Sequence, residues 1–457
     1  MLLSLLCLFA VAAALPHAQR QSAASVFQFT NWTDTSGNSI QAHGGGFIAV
    51  DNYFYWFGEN KTGDGNLFKS VTCYRSTDLA SWEFRGNVLT PIADTNISSA
   101  MVVERPKVVY NAKNSEYVMW FHNDDSSYGS AMVGVATSET VDGTYTWQGS
   151  FKPFGTDSRD MTVWKDTDGT AYIVFASDGN KDLKIASLDD DYYGVATQEY
   201  IWTSVYWEAP GFFKVNGTYY LLFSRQNGWM PADNYYMTAT SMAGPWSAQT
   251  LLSGSGEHMY NTQNAFDIQI AGRDDTLHIY YGDRWDSSHL GASSYMFLPA
   301  VLDAEGNLTL PYVSAWTPDV ASGTYTTPAY SSYDVATLTL TNSTSTAACT
   351  GCDTGTAAVL TAASDASFVW AGAAGTHVIA IKYAYGAPLQ NWMPIDVIVD
   401  GVSQGWILPE STASSSVFLE AAAQGIVLAR GSNVTLHNTS PSANYAFMLD
   451  VVKVYAQ

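Results

Sequence analysis

The sequence predicts an all-β protein, a five-bladed β-propeller followed by a β-sandwich domain. Three observations lead there: helical periodicity is scarce, one strand–turn–strand pattern recurs across residues 46–282, and the texture changes after Trp316. The recurring unit is a short apolar strand, a turn built on Asp, Asn or Gly, and an aromatic strand ending near a polar residue. Its copies cover 46–57, 106–122, 161–177, 211–224 and 265–282. Weaker second pairs follow several of them, at 73–82, 135–144, 185–191 and 237–246. Four strands repeated five times at this spacing suit radial closure, which leaves few unpaired edges; a sandwich has no need of five matching units.

Taken in order, residues 1–20 read as a signal peptide. The apolar run Met1–Leu15 is too short to span a bilayer and ends in small residues, although its start lacks Lys or Arg. Residues 21–318 are the expected propeller. Residues 319–331 lie in a Pro/Ser/Thr/Gly-rich stretch and read as a linker. From 332 to 457 the residues are smaller and strongly alternating, as in Thr376–Tyr385, Ile395–Val402 and Phe447–Tyr455. Short strands at that spacing fit a sandwich of binding-module size.

The formal net charge is −22, with 42 acidic and 20 basic residues in 457. Such a surface repels nucleic acid and anionic membrane, so neither is an expected partner, and a neutral substrate suits it better. Charged residues make up 14% and Tyr, Trp and Phe also 14%. That balance fits sugar handling, in which rings stack on C–H faces, and fits equally an all-β core that favours aromatics. Sequons at Asn31, Asn60, Asn96, Asn216, Asn307, Asn342, Asn433 and Asn438 accord with a secreted, extracellular glycoprotein. Cys349 and Cys352 read as a local disulfide, since no second ligand pair exists for zinc, and Cys73 as a buried thiol.

The segment Trp207-Glu208-Ala-Pro-Gly211 opens the fourth repeat, where inner strands of a propeller face the central cavity. Glu208 between Trp207 and Pro210 is expected to be desolvated, which raises its pKa toward a range where it can donate a proton. A plain rim carboxylate is the bland alternative. Asp160 holds the equivalent place in the third repeat, where a second carboxylate would keep an acid protonated, or would merely cap a turn. Glu104 stands at that point of the second repeat, as a sugar contact or as half of a surface pair with Arg105. The first repeat offers only His43-Gly-Gly-Gly46 and the fifth Asn261-Thr-Gln263-Asn264, neither with a carboxylate.

The repeat pattern and the run Trp207–Leu221 resemble glycoside hydrolase family 43 over about residues 25–320. The resemblance implies a five-bladed propeller that cleaves glycosides with inversion, with Glu208 as acid and Asp160 as the aspartate that tunes it. The family's aspartate base falls at His43–Gly45 and is missing. That departure, with Gln263 on the fifth repeat, resembles the secreted fungal exo-β-1,3-galactanases, in which a glutamine stands where the base is expected. It implies release of galactose from β-1,3-galactan, the arabinogalactan backbone, without a cofactor. The tail is similar to a family 35 carbohydrate-binding module, in whose relatives a calcium ligand falls at Asp450. The acidic residues usual near that module's first strand are not evident.

Inversion needs an acid and a base on opposite faces of the sugar. A neutral amide is a poor base, so Gln263 would orient water through its carbonyl, act through a rarer imidic acid tautomer, or simply bond the sugar, with Glu104 taking the proton. Glu59, Tyr128, Glu199 and Trp229 lie in loops after repeats or before Glu208 and are further candidates for sugar contact. In the tail Tyr383, Tyr385, Trp392 and Tyr445 are either a binding platform or core. Competing readings are an arabinofuranosidase or xylosidase of the same family, and a secreted glycan-binding protein without catalysis. A monomer is expected.

Overall fold

The computed structural model describes residues 24–457 except 29, 255–256, 343–344 and 441–446, so the leader at 1–20 and Tyr445 lie outside the described residues. The chain is nearly all β. Five four-stranded antiparallel sheets follow one another, each a simple meander. Their first strands are His43–Val50, Met101–Asn111, Met161–Lys165, Trp207–Val215 and Gln263–Ala271. Each packs on the next, and the fifth returns to the first.

Apolar clusters between consecutive sheets hold this arrangement. Side chains alternate across a strand, so neighbours on the second strands serve different clusters. Tyr55 and Phe57 pack toward the second sheet with Met119 and Phe121, while Trp56 packs toward the fifth with Tyr281. Val118 and Trp120 face Ile173 and Phe175 of the third sheet, and Val174 and Ala176 face Leu221 and Phe223 of the fourth. Both faces are buried, so these strands read as near-continuous apolar runs. Each buried aromatic or aliphatic side chain contributes about 1.5–3 kcal/mol.

Four of the five first strands share a device that positions the site. The pairing register slips between His43 and Gly46, Glu104 and Lys107, Glu208 and Gly211, and Asn264 and Phe266. In the first, second and fourth sheets the residue after the polar one has positive φ: Gly44 at 57°, Arg105 at 52° and Ala209 at 54°. These are β-bulges, which re-aim a side chain and sharpen the local twist. They turn Glu104 and Glu208 toward one end of the sheets.

Beyond Trp316 the structure is also strand-built. Residues 319–331 are not featureless: Thr324–Thr326 pairs with Ala315–Asp319, which pairs with Val26–Phe27. Farther on, a six-stranded sheet that includes Phe447–Ala456 and Gly375–Tyr385 faces a five-stranded sheet centred on Asn433–Asn438. Their core contains Phe368, Ile379, Val397, Leu436 and Phe447. Cys349 and Cys352 form a disulfide and Cys73 is a buried thiol. Asn438 is 1% exposed and donates to Thr361 O at 2.9 Å, so that sequon cannot carry a glycan on the folded protein. No helix among the described residues is long and apolar enough to cross a membrane.

Two expectations need correction. Asp450, read as a calcium ligand, is fully buried; its Oδ2 accepts from Asp353 N at 2.9 Å and lies 3.3 Å from the Lys382 ammonium. That lysine supplies the positive charge a cation would bring, and no metal-holding cluster occurs among the described residues. Glu199 lies on Val195–Trp202, the outermost strand of the third sheet, which pairs only inward with Asp182–Leu188. Glu199 does not line the cavity onto which the polar ends of the first strands open.

Candidate active site

The polar ends of the first strands meet in a cavity of about 200 Å³ lined by Glu59, Glu104, Asp160, Glu208, Gln263 and Trp229, among others. Seven of the sequence-derived candidates are therefore brought together: Glu208, Gln263, Asp160, Glu104, Glu59, Tyr128 and Trp229.

Glu208 is 6% exposed. Its Oε1 accepts hydrogen bonds from Gln263 Nε2 at 3.1 Å and from the Asn227 backbone N–H at 3.4 Å. That leaves Oε2 as the oxygen to carry a proton. Burial pushes its pKa up to about 8; the Asp160 charge adds to the rise, and the Arg105 cation opposes it. Trp207 is not the cause. Trp207 stacks on Phe223 at 4.1 Å in the cluster between the third and fourth sheets, on the other face of the strand. Glu208 is desolvated by the cavity wall instead.

Arg105 is the hub of the site, and as half of a surface pair it was misplaced: it is 5% exposed. Its Nε meets Asp160 Oδ1 at 2.9 Å, its Nη2 donates to Gln263 Oε1 at 2.7 Å and its Nη1 to Asn264 O at 3.0 Å. Its backbone N–H donates to Glu59 Oε1 at 2.9 Å. The Ala209 N–H fixes the other Asp160 oxygen at 3.1 Å, so this carboxylate is tied both to the hub and to the residue after Glu208.

Gln263 is saturated. Its carbonyl accepts from Arg105 and from Trp285 Nε1 at 3.0 Å, and its amide donates to Glu208 and to Ser224 Oγ at 3.2 Å. Arg105 and Trp285 offer only donors, which fixes the orientation of the amide. In this arrangement neither lone pair of the carbonyl remains for a water.

A second buried group carries mixed charge. Glu104 accepts from Tyr128 OH at 2.9 Å and lies 3.4 Å from Lys61 Nζ and 3.3 Å from His122 Nδ1. Burial would raise its pKa, but Lys61 and His122 outweigh it and hold the carboxyl at about 2. His122 sits between Glu104 and Asp124, the latter at 2.9 Å, and although burial disfavours its charge these two partners bring it up to about 9. Glu59 pairs with Lys61 at 2.7 Å, yet burial and the neighbouring Glu104 leave its pKa raised. The group is thus an ionised carboxylate and an imidazolium that line the pocket, with the fully buried Lys61 ammonium paired to both Glu59 and Glu104.

Trp229 and Trp285 form the apolar wall, edge to face at 4.9 Å, with the Lys61 ammonium 5.7 Å from the Trp229 ring. Aromatic surface beside fixed charged donors and acceptors suits a polyhydroxylated ring with apolar C–H faces. Lys61, Arg105, His122 and Trp285 escaped the sequence reading. Lys61 lies two residues past Glu59, His122 is paired in register with Glu104, and Trp285 directly follows the strand paired with Gln263. Cross-strand register from known site residues would have found His122.

Comparison with known proteins bears on the same residues. Residues 38–293, more than half of the chain, match the family described as Glycosyl hydrolases family 43. The structure is similar to an exo-β-1,3-galactanase from Phanerochaete chrysosporium solved with galactose, at 39% identity, 94% of this chain, 100% of that one and TM-score 0.86. A glutamate-to-glutamine variant of that enzyme, solved with β-1,3-galactotriose, superposes at TM-score 0.87 with the same identity and coverage. An exo-β-1,3-galactanase from Clostridium thermocellum is 27% identical over 93% of this chain and 99% of that one, at TM-score 0.64. No curated protein matches.

Proposed function

The chain belongs to Glycosyl hydrolases family 43, and on that premise we propose that it releases galactose from the non-reducing end of β-1,3-galactan. The attack inverts the anomeric carbon. The observation that carries the reading is Glu208, a buried carboxyl with its pKa raised to about 8, facing a cavity of charged hydrogen-bonding groups and tryptophan. Support for the substrate comes from the Phanerochaete enzyme, named an exo-β-1,3-galactanase, whose variant holds β-1,3-galactotriose.

In this reading Glu208 Oε2 gives its proton to the glycosidic oxygen as the bond breaks, and Asp160 keeps the acid protonated beforehand by like-charge repulsion. Gln263 positions the attacking water, and the ionised Glu104 carboxylate in the same cavity takes the proton that the water loses. An inverting pair stands ~6.5–9.5 Å apart, so an amide bonded to the acid at 3.1 Å must swing away as the sugar enters. Glu104, Glu59, Tyr128 and Trp229 contact the sugar. An acid, a proton acceptor, water and positioning groups suffice for the chemistry, so no cofactor enters. We read the five sheets as blades of a propeller spanning 21–318, joined through 319–331 to a carbohydrate-binding sandwich at 332–457. A leader at 1–20 would send the enzyme out of the cell as a soluble monomer.

The protein incubated with β-1,3-galactan, arabinan and xylan is expected to release galactose from the first alone, and proton NMR to show the α-anomer first. Pentose release would replace the reading with an arabinofuranosidase or xylosidase, and binding without release with a glycan-binding protein. Gln263→Ala is expected to lower kcat about 100-fold, in the range of losing one preorganised polar group at the reacting centre. Unchanged kcat would remove Gln263 from its place beside the water.

A further inference from the structure

Residues outside the family-matched segment hold the backbone of residues that line the site. The loop that carries Trp229 lies between Thr218–Arg225 and Asn234–Ala239, and Gln226, Asn227, Gly228 and Met230 around it are exposed. So open a loop would leave its tryptophan free to sample several positions. Gln390, from the C-terminal sheets, prevents this. Its Nε2 donates to Trp229 O at 2.6 Å and to Trp285 O at 3.4 Å, and its Oε1 accepts from Ser287 Oγ. One side chain thus ties together the backbones under both members of the aromatic wall. Gln390 itself has φ of 58°, a conformation disfavoured for residues with a side chain, and its hydrogen bonds offset that strain.

A second contact from the same segment reaches the catalytic strand. His258, Met259, Tyr260 and Asn261 all have positive φ, between 50° and 62°, directly ahead of Thr262 and Gln263. Consecutive left-handed residues cost about 1–2 kcal/mol each, so this turn needs outside support. Asn261 Nδ2 donates to Ser411 O at 3.0 Å and to Glu410 Oε2 at 3.2 Å. Glu410 is fully buried and also pairs with Arg284 Nε at 3.2 Å.

We propose that Gln390 is a positioning residue for sugar binding: it fixes Trp229 against Trp285, so affinity in the pocket depends on the C-terminal sheets. The proposal deepens the hydrolase reading and rests on the sugar entering that pocket. Gln390 touches no substrate and acts through the tryptophans. Its loss should therefore raise KM more than it lowers kcat: the Asn227 N–H and the Trp285 indole lie on the segments it ties, but Arg105 and Ser224 still hold Gln263, and Gln263 still holds Glu208.

The test is full-length Gln390→Ala, with Gln390→Met as the variant that keeps the side-chain volume and removes the hydrogen bonds. Both are assayed on β-1,3-galactotriose, and galactose is titrated by tryptophan fluorescence. Loss of hydrogen bonds of this kind should raise KM and the galactose Kd about fivefold in both variants, with kcat within about twofold of wild type. Unchanged KM and Kd in the Met variant would overturn the proposal, as would a fall in kcat alone. If wild type releases no galactose the hydrolase reading fails, and the fluorescence titration still decides the role of Gln390.

Discussion

Glu208→Gln is expected to lower kcat on β-1,3-galactan about 1,000-fold or more, and to make the folded protein more stable than wild type at alkaline pH. Both effects come from one proton. The carboxyl is raised from 4.5 to about 8 by burial and by Asp160. Between those values the folded state binds a proton that the unfolded state has released. Stability contributed by this group is full below about pH 4.5 and is lost as pH rises through about 8. Glutamine has the same shape, accepts the same bonds from Gln263 and Asn227 through its carbonyl, and does not ionise. Its Tm should therefore exceed that of wild type at pH 8.5 and show no such gain at pH 4.5. In wild type, kcat/KM should fall with rising pH on a limb near pH 8, where the acid is ionised. A limb near pH 5, or a variant that keeps most of its activity, would remove Glu208 from the acid role.

The elevated pKa is legible on Glu208, but Trp207 is not its source. Trp207 was expected to desolvate it; strand alternation sends that ring to the opposite face, and the cavity performs the task. Linear adjacency misleads wherever a strand has two buried faces. The repeat itself was legible because turn residues punctuate aromatic strands, and all five copies became hairpins at the start of a sheet. The strands read in the tail were also found. Less legible was anything that depends on register or on distant packing. Of the two alternatives for Glu104, the surface pair with Arg105 fails because a bulge with positive φ places Arg105 inside. Glu199 lies near Glu208 in sequence but on the outermost strand of its sheet, three strands from the inner one. Gln390 is 127 residues from Gln263, and no local pattern marks it.

Arg105→Met should cost about 3–5 kcal/mol of stability, the range for removing one partner of a buried ion pair, and lower kcat about 1,000-fold by loosening the reacting groups. Asp160 and the carbonyl of Gln263 both lose a charged donor within 3 Å in that variant. The acid responds in a defined direction. Arg105 holds the Glu208 pKa down, so its removal lets that pKa climb further and moves the alkaline limb of kcat/KM to higher pH. Arg105→Lys separates charge from shape. It keeps a cation near Glu208, so the limb should stay close to its wild-type position. It still cannot bridge Asp160, Gln263 and Asn264 at once, because an ammonium is a point charge and a guanidinium a planar fork. Its kcat should therefore fall almost as far as that of the methionine variant. A lysine variant with wild-type kcat would mean that Arg105 serves only as a charge. A methionine variant whose alkaline limb stays in place would mean that Arg105 does not govern the acid.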